Sequence, residues 1–261
     1  MKLYKNIDVV QINIKAGVQE YFLPKNVDWA DQVIENIAVY GSLHDTPQVS
    51  PIDGVTPIIE LDSLSEVYFD LYASDDTEIT HNLNVTNILY TNNNPVEINS
   101  KLSLQLSRIF FAEESPVDGC ILLYVYYGSK EVEDCDTPTR SVSTPFEIAA
   151  GKELLLSEMV DTYIHAQGAK LKGLQVWDAS AGCFITLRNR NYQTIANRLP
   201  LALLRPPMGD EYMIDYFDVP AENVQANPFY LDSEDIDFAN SVIQNTWSDG
   251  NPIKVNITFL Y

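Results

Sequence analysis

The residue types that carry most protein chemistry are sparse in this chain and do not gather. The histidines, His44, His81 and His165, lie far apart, and none belongs to an H-x-H, HExxH or Cys/His cluster. A zinc or cupin-like site needs convergent ligands, commonly two close together on one strand or helix. No such site is expected. The cysteines, Cys120, Cys135 and Cys183, are odd in number and include no CxxC pair. That usage suits a reducing compartment better than a disulfide scaffold. Cys120 and Cys183 stand in apolar runs and read as packing residues, with no basic neighbour in sequence to favour a thiolate. The chain has no G-x-S-x-G elbow, Walker loop or G-x-G-x-x-G turn.

Carboxylates are the abundant reactive group. They cluster at Asp75-Asp76, Glu113-Glu114, Glu131–Asp136 and Glu234-Asp235. Two carboxylates could serve a glycosidase, and several loop oxygens would suit calcium. None of the clusters has EF-hand spacing, and each reads first as a solvated loop. A structural calcium ion therefore has no located site. Trp29, Trp177 and Trp247 could platform a sugar, but Trp177 follows an alternating run and reads as core, and the other two are not grouped. The sequence assigns no catalytic, cofactor-binding or metal-binding residue, and the chain is not expected to be an enzyme.

The formal net charge is −21, from 37 acidic and 16 basic side chains. Such a field repels nucleic-acid phosphates and anionic membrane surfaces. The nearest approach to a basic group is Arg188, Arg190 and Arg198, so direct nucleic-acid binding is not expected. Like-charged copies would need salt or divalent cations to screen them before packing. The longest apolar runs, Cys120–Tyr127 and Leu199–Leu204, are strand-sized and too short to span a bilayer. The opening MKLYKNIDVV lacks an extended apolar core and a small-residue cleavage site, so no signal peptide is expected. Asn-x-Thr triplets at Asn84 and Asn256 fall in strand-like runs and carry little weight.

The elements that must position these residues are strands. Val10, Ile12 and Ile14 alternate, as do Val67, Phe69 and Leu71, then Leu102, Leu104 and Leu106, and later Ile253, Val255, Ile257 and Phe259. That is the period-2 pattern of half-buried strands. Strand-like runs lie near 7–14, 19–24, 35–43, 57–61, 66–73, 85–90, 101–111 and 120–127. They recur near 145–148, 153–156, 171–177, 183–187, 199–204, 212–217, 236–243 and 253–260. Pro, Asn, Asp and Gly punctuate them. Helix signals are poor; 29–37 and 157–172 could each hold a turn or a short helix.

The two sets of strands carry matching words. Asn94-Pro95-Val96-Glu97-Ile98-Asn99-Ser100 matches Asn227-Pro228-Phe229-Tyr230-Leu231-Asp232-Ser233. Ile14-Lys15-Ala16-Gly17 matches Ile148-Ala149-Ala150-Gly151, and Val27-Asp28 matches Val160-Asp161. Ile34, Ile37, Val39 and Tyr40 match Leu171, Leu174, Val176 and Trp177, and Asp118-Gly119 matches Asp249-Gly250. Five matches in one order at nearly constant offset, roughly 130 residues, point to a duplicated domain rather than a solenoid. The Asn-Pro words read as turns that feed the penultimate strand of each copy and mark a sheet edge.

Eight strands in a unit of this size predict a jelly roll, two four-stranded sheets face to face. The expected class is all-β, with two tandem eight-stranded jelly-roll sandwiches. The expected domains are 1–128, a polar linker at 129–144, and 145–261. Two such units on one chain resemble the double jelly-roll major capsid proteins of tailless icosahedral, membrane-containing bacteriophages of the tectivirus and corticovirus kind. The resemblance is architectural and covers about residues 5–261. It implies a virion protein assembled in a host cytoplasm, whose homotrimers present six barrels and tile a shell with other virion proteins. It also implies indirect membrane contact, and loops His44–Val55 and Arg205–Tyr212 as towers or contacts between capsomers. The alternatives are another virion component, such as a vertex, decoration or spike protein, or a carbohydrate-binding or hydrolytic β-sandwich.

Overall fold

The computed structural model describes residues 2–3, 6–41, 48–60, 66–88, 96–115, 117–128, 130–131, 141–159, 170–176, 182–201, 229–247, 250 and 252–260. These residues form an all-β chain. The first half holds β1 (Lys2–Leu3), β2 (Asn6–Ile14), β3 (Glu20–Phe22), β4 (Ile34–Tyr40), β5 (Val67–Tyr72), β6 (Glu78–Asn84), β7 (Val96–Ser100), β8 (Arg108–Phe111) and β9 (Gly119–Tyr127). The second holds β10 (Lys130–Glu131), β11 (Ser141–Ile148), β12 (Glu153–Leu155), β13 (Leu171–Val176), β14 (Cys183–Arg188), β15 (Thr194–Pro200), β16 (Phe229–Glu234), β17 (Val242–Asn245) and β18 (Ile253–Leu260).

Setting aside the small β1–β10 pair, each half pairs its strands in the same order. In the first half the sheets run β2-β9-β4-β7 and β3-β8-β5-β6; in the second, β11-β18-β13-β16 and β12-β17-β14-β15. Numbered within a half, both are 1-8-3-6 and 2-7-4-5. The halves join where β15 meets β2 in parallel, Ala196 beside Ile7, which makes one eight-stranded sheet.

The repeat holds residue by residue. Ile37 stands opposite Val125 and Val96, as Leu174 stands opposite Phe259 and Phe229. The irregularity between Ile34 and Asn36 returns between Leu171 and Gly173. Hairpins β5–β6 and β14–β15 each break register twice at matched places. There Asn82 (φ 51°) is matched by Arg198 (φ 48°), and Asp76 (φ 65°) by Tyr192 (φ 61°). Such bulges reserve a left-handed residue that aims the strand. The bulge amides are capped alike: Asn82 N–H donates to Asp70 Oδ1 at 2.9 Å, and Arg198 N–H to Thr186 Oγ1 at 3.1 Å. Tyr72 N–H donates to Ser107 Oγ at 3.0 Å, as Arg188 N–H does to Ser241 Oγ at 3.0 Å.

Several sequence expectations are corrected. The described parts of the Asn-Pro words are strand: Val96–Ser100 and Phe229–Glu234 are the sixth strand of each set, and both end a sheet, while Asn94-Pro95 and Asn227-Pro228 lie outside the described residues. An edge strand needs one ladder only, so its Asn, Asp and Ser residues are tolerated there. Pro57 and Ile58 make isolated bridges to Val49 and Cys120 in place of a strand. Val85–Ile88 is a 3-10 turn, and the strand lies before it as β6. Of 101–111 only β8 is strand, β15 begins before 199, and β17 occupies the end of 236–243 and beyond. The run near 212–217 lies outside the described residues. β10 and the start of β11 fall inside the segment expected as a linker, 129–144.

Two apolar clusters form the interior. One fills the space between the two sheets of the first half, with Val10, Ile12, Ile14, Val39, Phe69, Leu71, Ile109 and Leu123. The other is the interior of the second half, and it continues onto the back of β2, β4 and β9 through Ile7, Val9, Ala38, Tyr40, Leu122 and Tyr124. β4 is therefore buried along its whole length, and β9 along its first seven residues. Burial on both faces explains the unbroken apolar run CILLYVYY, where a one-faced strand would alternate.

Candidate functional site: the seam between the halves

The seam has two anchored ends. At the β15–β2 end, Asn197 Nδ2 donates to Asp8 Oδ1 at 2.8 Å and Tyr124 OH donates to Arg198 O at 2.7 Å. The Arg198 guanidinium reaches back to Pro51 O at 2.8 Å through Nε. The left-handed backbone at Arg198 turns its carbonyl and side chain toward the first half. An arginine here has a polar job in both directions, which offsets the conformational cost of a positive φ.

At the other end Gly182 is the pivot. Its N–H donates to Tyr40 OH at 3.2 Å, and Tyr40 OH donates to Gln48 Oε1 at 2.7 Å. Its carbonyl accepts from Thr246 N–H at 2.9 Å and from Thr246 Oγ1 at 3.0 Å. Tyr40 meets Phe184 edge to face, with centroids 5.2 Å apart. Gln48 bridges to Trp247, and Val49 N–H donates to Thr246 O at 3.3 Å. Gly182 has φ +85°, and a Cβ on it would lie 2.0 Å from Trp247 Nε1. Only glycine fits.

Between these ends lies the loop expected to project as a tower. Residues 42–47 are outside the described set. Gln48 and Ser50 are fully buried, while Val55 is exposed. So the described part of His44–Val55 docks its start into the second half and exposes Asp53, Gly54 and Val55. Arg205–Tyr212 is outside the described residues. Asp53 in this loop accepts hydrogen bonds from Gln11 Nε2, Val55 N–H and Thr56 N–H. Burial works to raise its pKa, but the hydrogen bonds from Gln11, Thr56 and Val55 outweigh it and hold the carboxyl well below the usual range.

The sequence-named residues are dispersed. Burial, then the charge of Asp53, pushes the Cys120 thiol up to about 12, and burial alone pushes Cys183 up to about 12. Neither is a thiolate nucleophile at neutral pH. Cys135, His44, His165 and Trp177 lie outside the described residues. His81 Nδ1 stands 2.9 Å from Glu78 Oε1 and 3.7 Å from Asp70 Oδ1 on the outer face of β3-β8-β5-β6. Beside it, Arg108 holds Asp70 through Nε at 3.0 Å and NH2 at 2.9 Å, and also pairs with Glu20. Trp29 is buried and Trp247 is packed into the seam, so neither is the exposed platform a sugar would need. Asp75 folds back on Thr77 N–H, Asp235 pairs with Arg190, and Glu113 and Glu114 are exposed. Among the described residues no group of three or more His, Cys, Asp or Glu is placed to hold a metal ion, and no helix is long and apolar enough to cross a membrane. A shallow depression of about 430 Å³ is lined by Lys25, Ser74, Asp76, Ser103, Leu104 and Gln105. Sequence reasoning missed the seam, because Tyr40 and Gln48 are remote in sequence from Gly182 and Trp247 and only the fold brings them together.

No family model and no curated protein matches the chain. Among solved structures it is similar to the crystal structure of PBSX exported protein XepA, with 9% identity over 98% of this chain and 86% of that one, and a TM-score of 0.22.

Proposed function

We propose that the chain is a double jelly-roll structural protein of a virion, a major capsid subunit that works by tiling against copies of itself. The observation that carries this reading is the repeated strand order, 1-8-3-6 facing 2-7-4-5, in two halves locked by a shared sheet. That is the strand order of a jelly roll. On this reading the second roll starts at Ser141, inside the segment expected as a linker. Doubling the unit lets a three-fold oligomer offer six similar sides, and so tile hexagonally. The seam supports it further. A tile must hold its two rolls at one fixed angle, and the two anchored ends with a common apolar interior do so. The acidic surface makes association dependent on ionic strength. Nucleic acid is not a direct partner in this proposal, and membrane contact runs through other virion proteins.

The test is the mass of the purified protein in solution across a salt series, followed by electron microscopy. Trimers, or shells built from them, are the expected result. Pentamers would turn the assignment to a vertex protein. A monomer at every salt concentration that binds glycans on an array would overturn it.

A further inference from the structure

The intrachain joint uses an edge of each half, and among the described residues the matching edge of each half has a single strand partner. β15 ends the 2-7-4-5 sheet of the second half and pairs with β2, which ends the 1-8-3-6 sheet of the first. The matched strands are β6 in the first half and β11 in the second. Among the described residues each ends its sheet with one partner only. An unpaired edge exposes a row of N–H and C=O groups and is a template for another strand. We propose that β6 of one copy pairs with β11 of a second copy in the parallel sense, Thr80 beside Ser141, repeating between chains the contact that joins Ala196 to Ile7 within one.

The occupant follows from register. Leu71 faces Thr80 as Leu187 faces Ala196, so Thr80 is the counterpart of Ala196. Ile14 faces Gly119 as Ile148 faces Ile253, and counting back along each ladder makes Ser141 the counterpart of Ile7. The bulge that shapes β15 at Arg198 also shapes β6 at Asn82, so the two edges present the same kinked backbone. The inner-chain pairing is short, and the edge of β11 has a stop: Pro145, the counterpart of Gln11, lacks the N–H a longer ladder would use. A contact of this head-to-tail kind closes into a ring if its rotation permits.

The chemistry of the second contact differs from the first in an informative way. Ile7, Val9, Leu122 and Tyr124 line the intrachain seam. Their counterparts on β11 and β18 are Ser141, Ser143, Asn256 and Thr258. An apolar joint suits a permanent union inside one chain, and a polar one suits subunits that must first be soluble. On the other side the β3-β8-β5-β6 face offers Tyr68 stacked on Phe110 at 5.7 Å and the Arg108–Asp70 pair. This inference deepens the proposed self-assembly and rests on the equivalence of the halves.

The test uses full-length chains with Cys135→Ser, one also carrying Thr80→Cys and another Ser141→Cys. Mixed under mild oxidation at a salt concentration that gives oligomers, the two chains should link and double in mass, while each alone stays single. A chain with both substitutions should give a ladder. Hydrogen exchange on the unsubstituted protein should show slower exchange at 78–84 and at the start of β11 in the oligomer than in the monomer. No link in the mixture, equal self-linking of the Thr80→Cys chain, or unchanged exchange overturns the proposal. Shells without the link would leave the capsid reading standing and end this one; the link without shells would do the reverse.

Discussion

On the outer face of β3-β8-β5-β6 stand Tyr68, Asp70, Arg108 and Phe110. At the matched positions of β12-β17-β14-β15 stand Phe184, Thr186, Val242 and Gln244. The backbone beneath is the same to the bulge. What differs is the cover: Tyr40 lies against Phe184, which is fully buried, while Tyr68 is only half-buried. At these four positions the covered face carries no charge, since an ion pair taken out of water must recover its hydration cost. The open face keeps the Asp70–Arg108 pair, and gives it structural work. Asp70 caps the bulge amide and binds Arg108, the task Thr186 performs with a neutral hydroxyl. Copying a fold fixes the backbone needs; the neighbour of each copy then selects the side chain that meets them.

The sharpest way to break the comparison is Gly182→Ala. The first half has Glu66 at the matched position, so the glycine belongs to the seam and not to the repeat. A Cβ here meets the Trp247 indole at 2.0 Å with φ at +85°. The expected loss exceeds about 4 kcal/mol, the range of severe core strain, read as a lower urea midpoint. A loss under about 1 kcal/mol would mean that the indole moves freely and that the seam is not rigid.

Next come the two bulge caps. Asp70→Ala removes a buried charged acceptor and leaves Arg108 with Glu20 alone, at a cost of about 2–3 kcal/mol. Thr186→Val removes one neutral hydrogen bond, at a cost of about 1 kcal/mol. Chemical denaturation of both variants gives the ratio. Equal losses would show that Asp70 serves only the bulge and that Arg108 adds nothing.

The sequence made the period-2 class and the repeated strand order legible because both depend on local pattern. The offset of Ile37 to Leu174 and that of Val96 to Phe229 are the offsets the strand ladders use. What failed were edges and bulges. β6 reads EITHNLN, with no fully buried residue, so its apolar alternation is faint. β15 carries Asn197 and Arg198 at its bulge, which hid its true start. The ends of 57–61 looked like a strand because Ile58 and Ile59 are buried, yet that burial comes from docking on β9. The seam was invisible because its four anchors come from separate stretches.

The turns after the first strand of each half offer a gentler comparison. Gly17 (φ +78°) and Gly151 (φ +65°) close matched turns, with Val18 N–H to Lys15 O at 3.1 Å and Lys152 N–H to Ala149 O at 3.2 Å. Neither would bring a Cβ closer than 3.8 Å to a neighbour. Alanine at either therefore costs backbone strain alone, about 1 kcal/mol. Thermal unfolding should show equal shifts; a larger one at Gly151 would mean that the nearby Trp247 carbonyl transmits the change to the seam.

The smallest and most discriminating pair is Ser107→Ala and Ser241→Ala. Each hydroxyl accepts one backbone N–H at 3.0 Å from the fourth strand of its half and sits in a fully buried serine. Each loss should be about 1 kcal/mol, and the two should agree within about 0.5 kcal/mol. The double variant then asks whether the halves fold as one. The second apolar cluster includes residues of both halves, from Ile7 and Tyr124 to Phe184 and Phe259. With a common interior, the double variant should unfold in a single transition, with its losses added and its denaturant slope unchanged. Two separated transitions, each moved by one serine, would show that the seam is a contact between independent domains. The rigid tile that the proposed hexagonal packing requires would then have to be made by assembly instead of by folding.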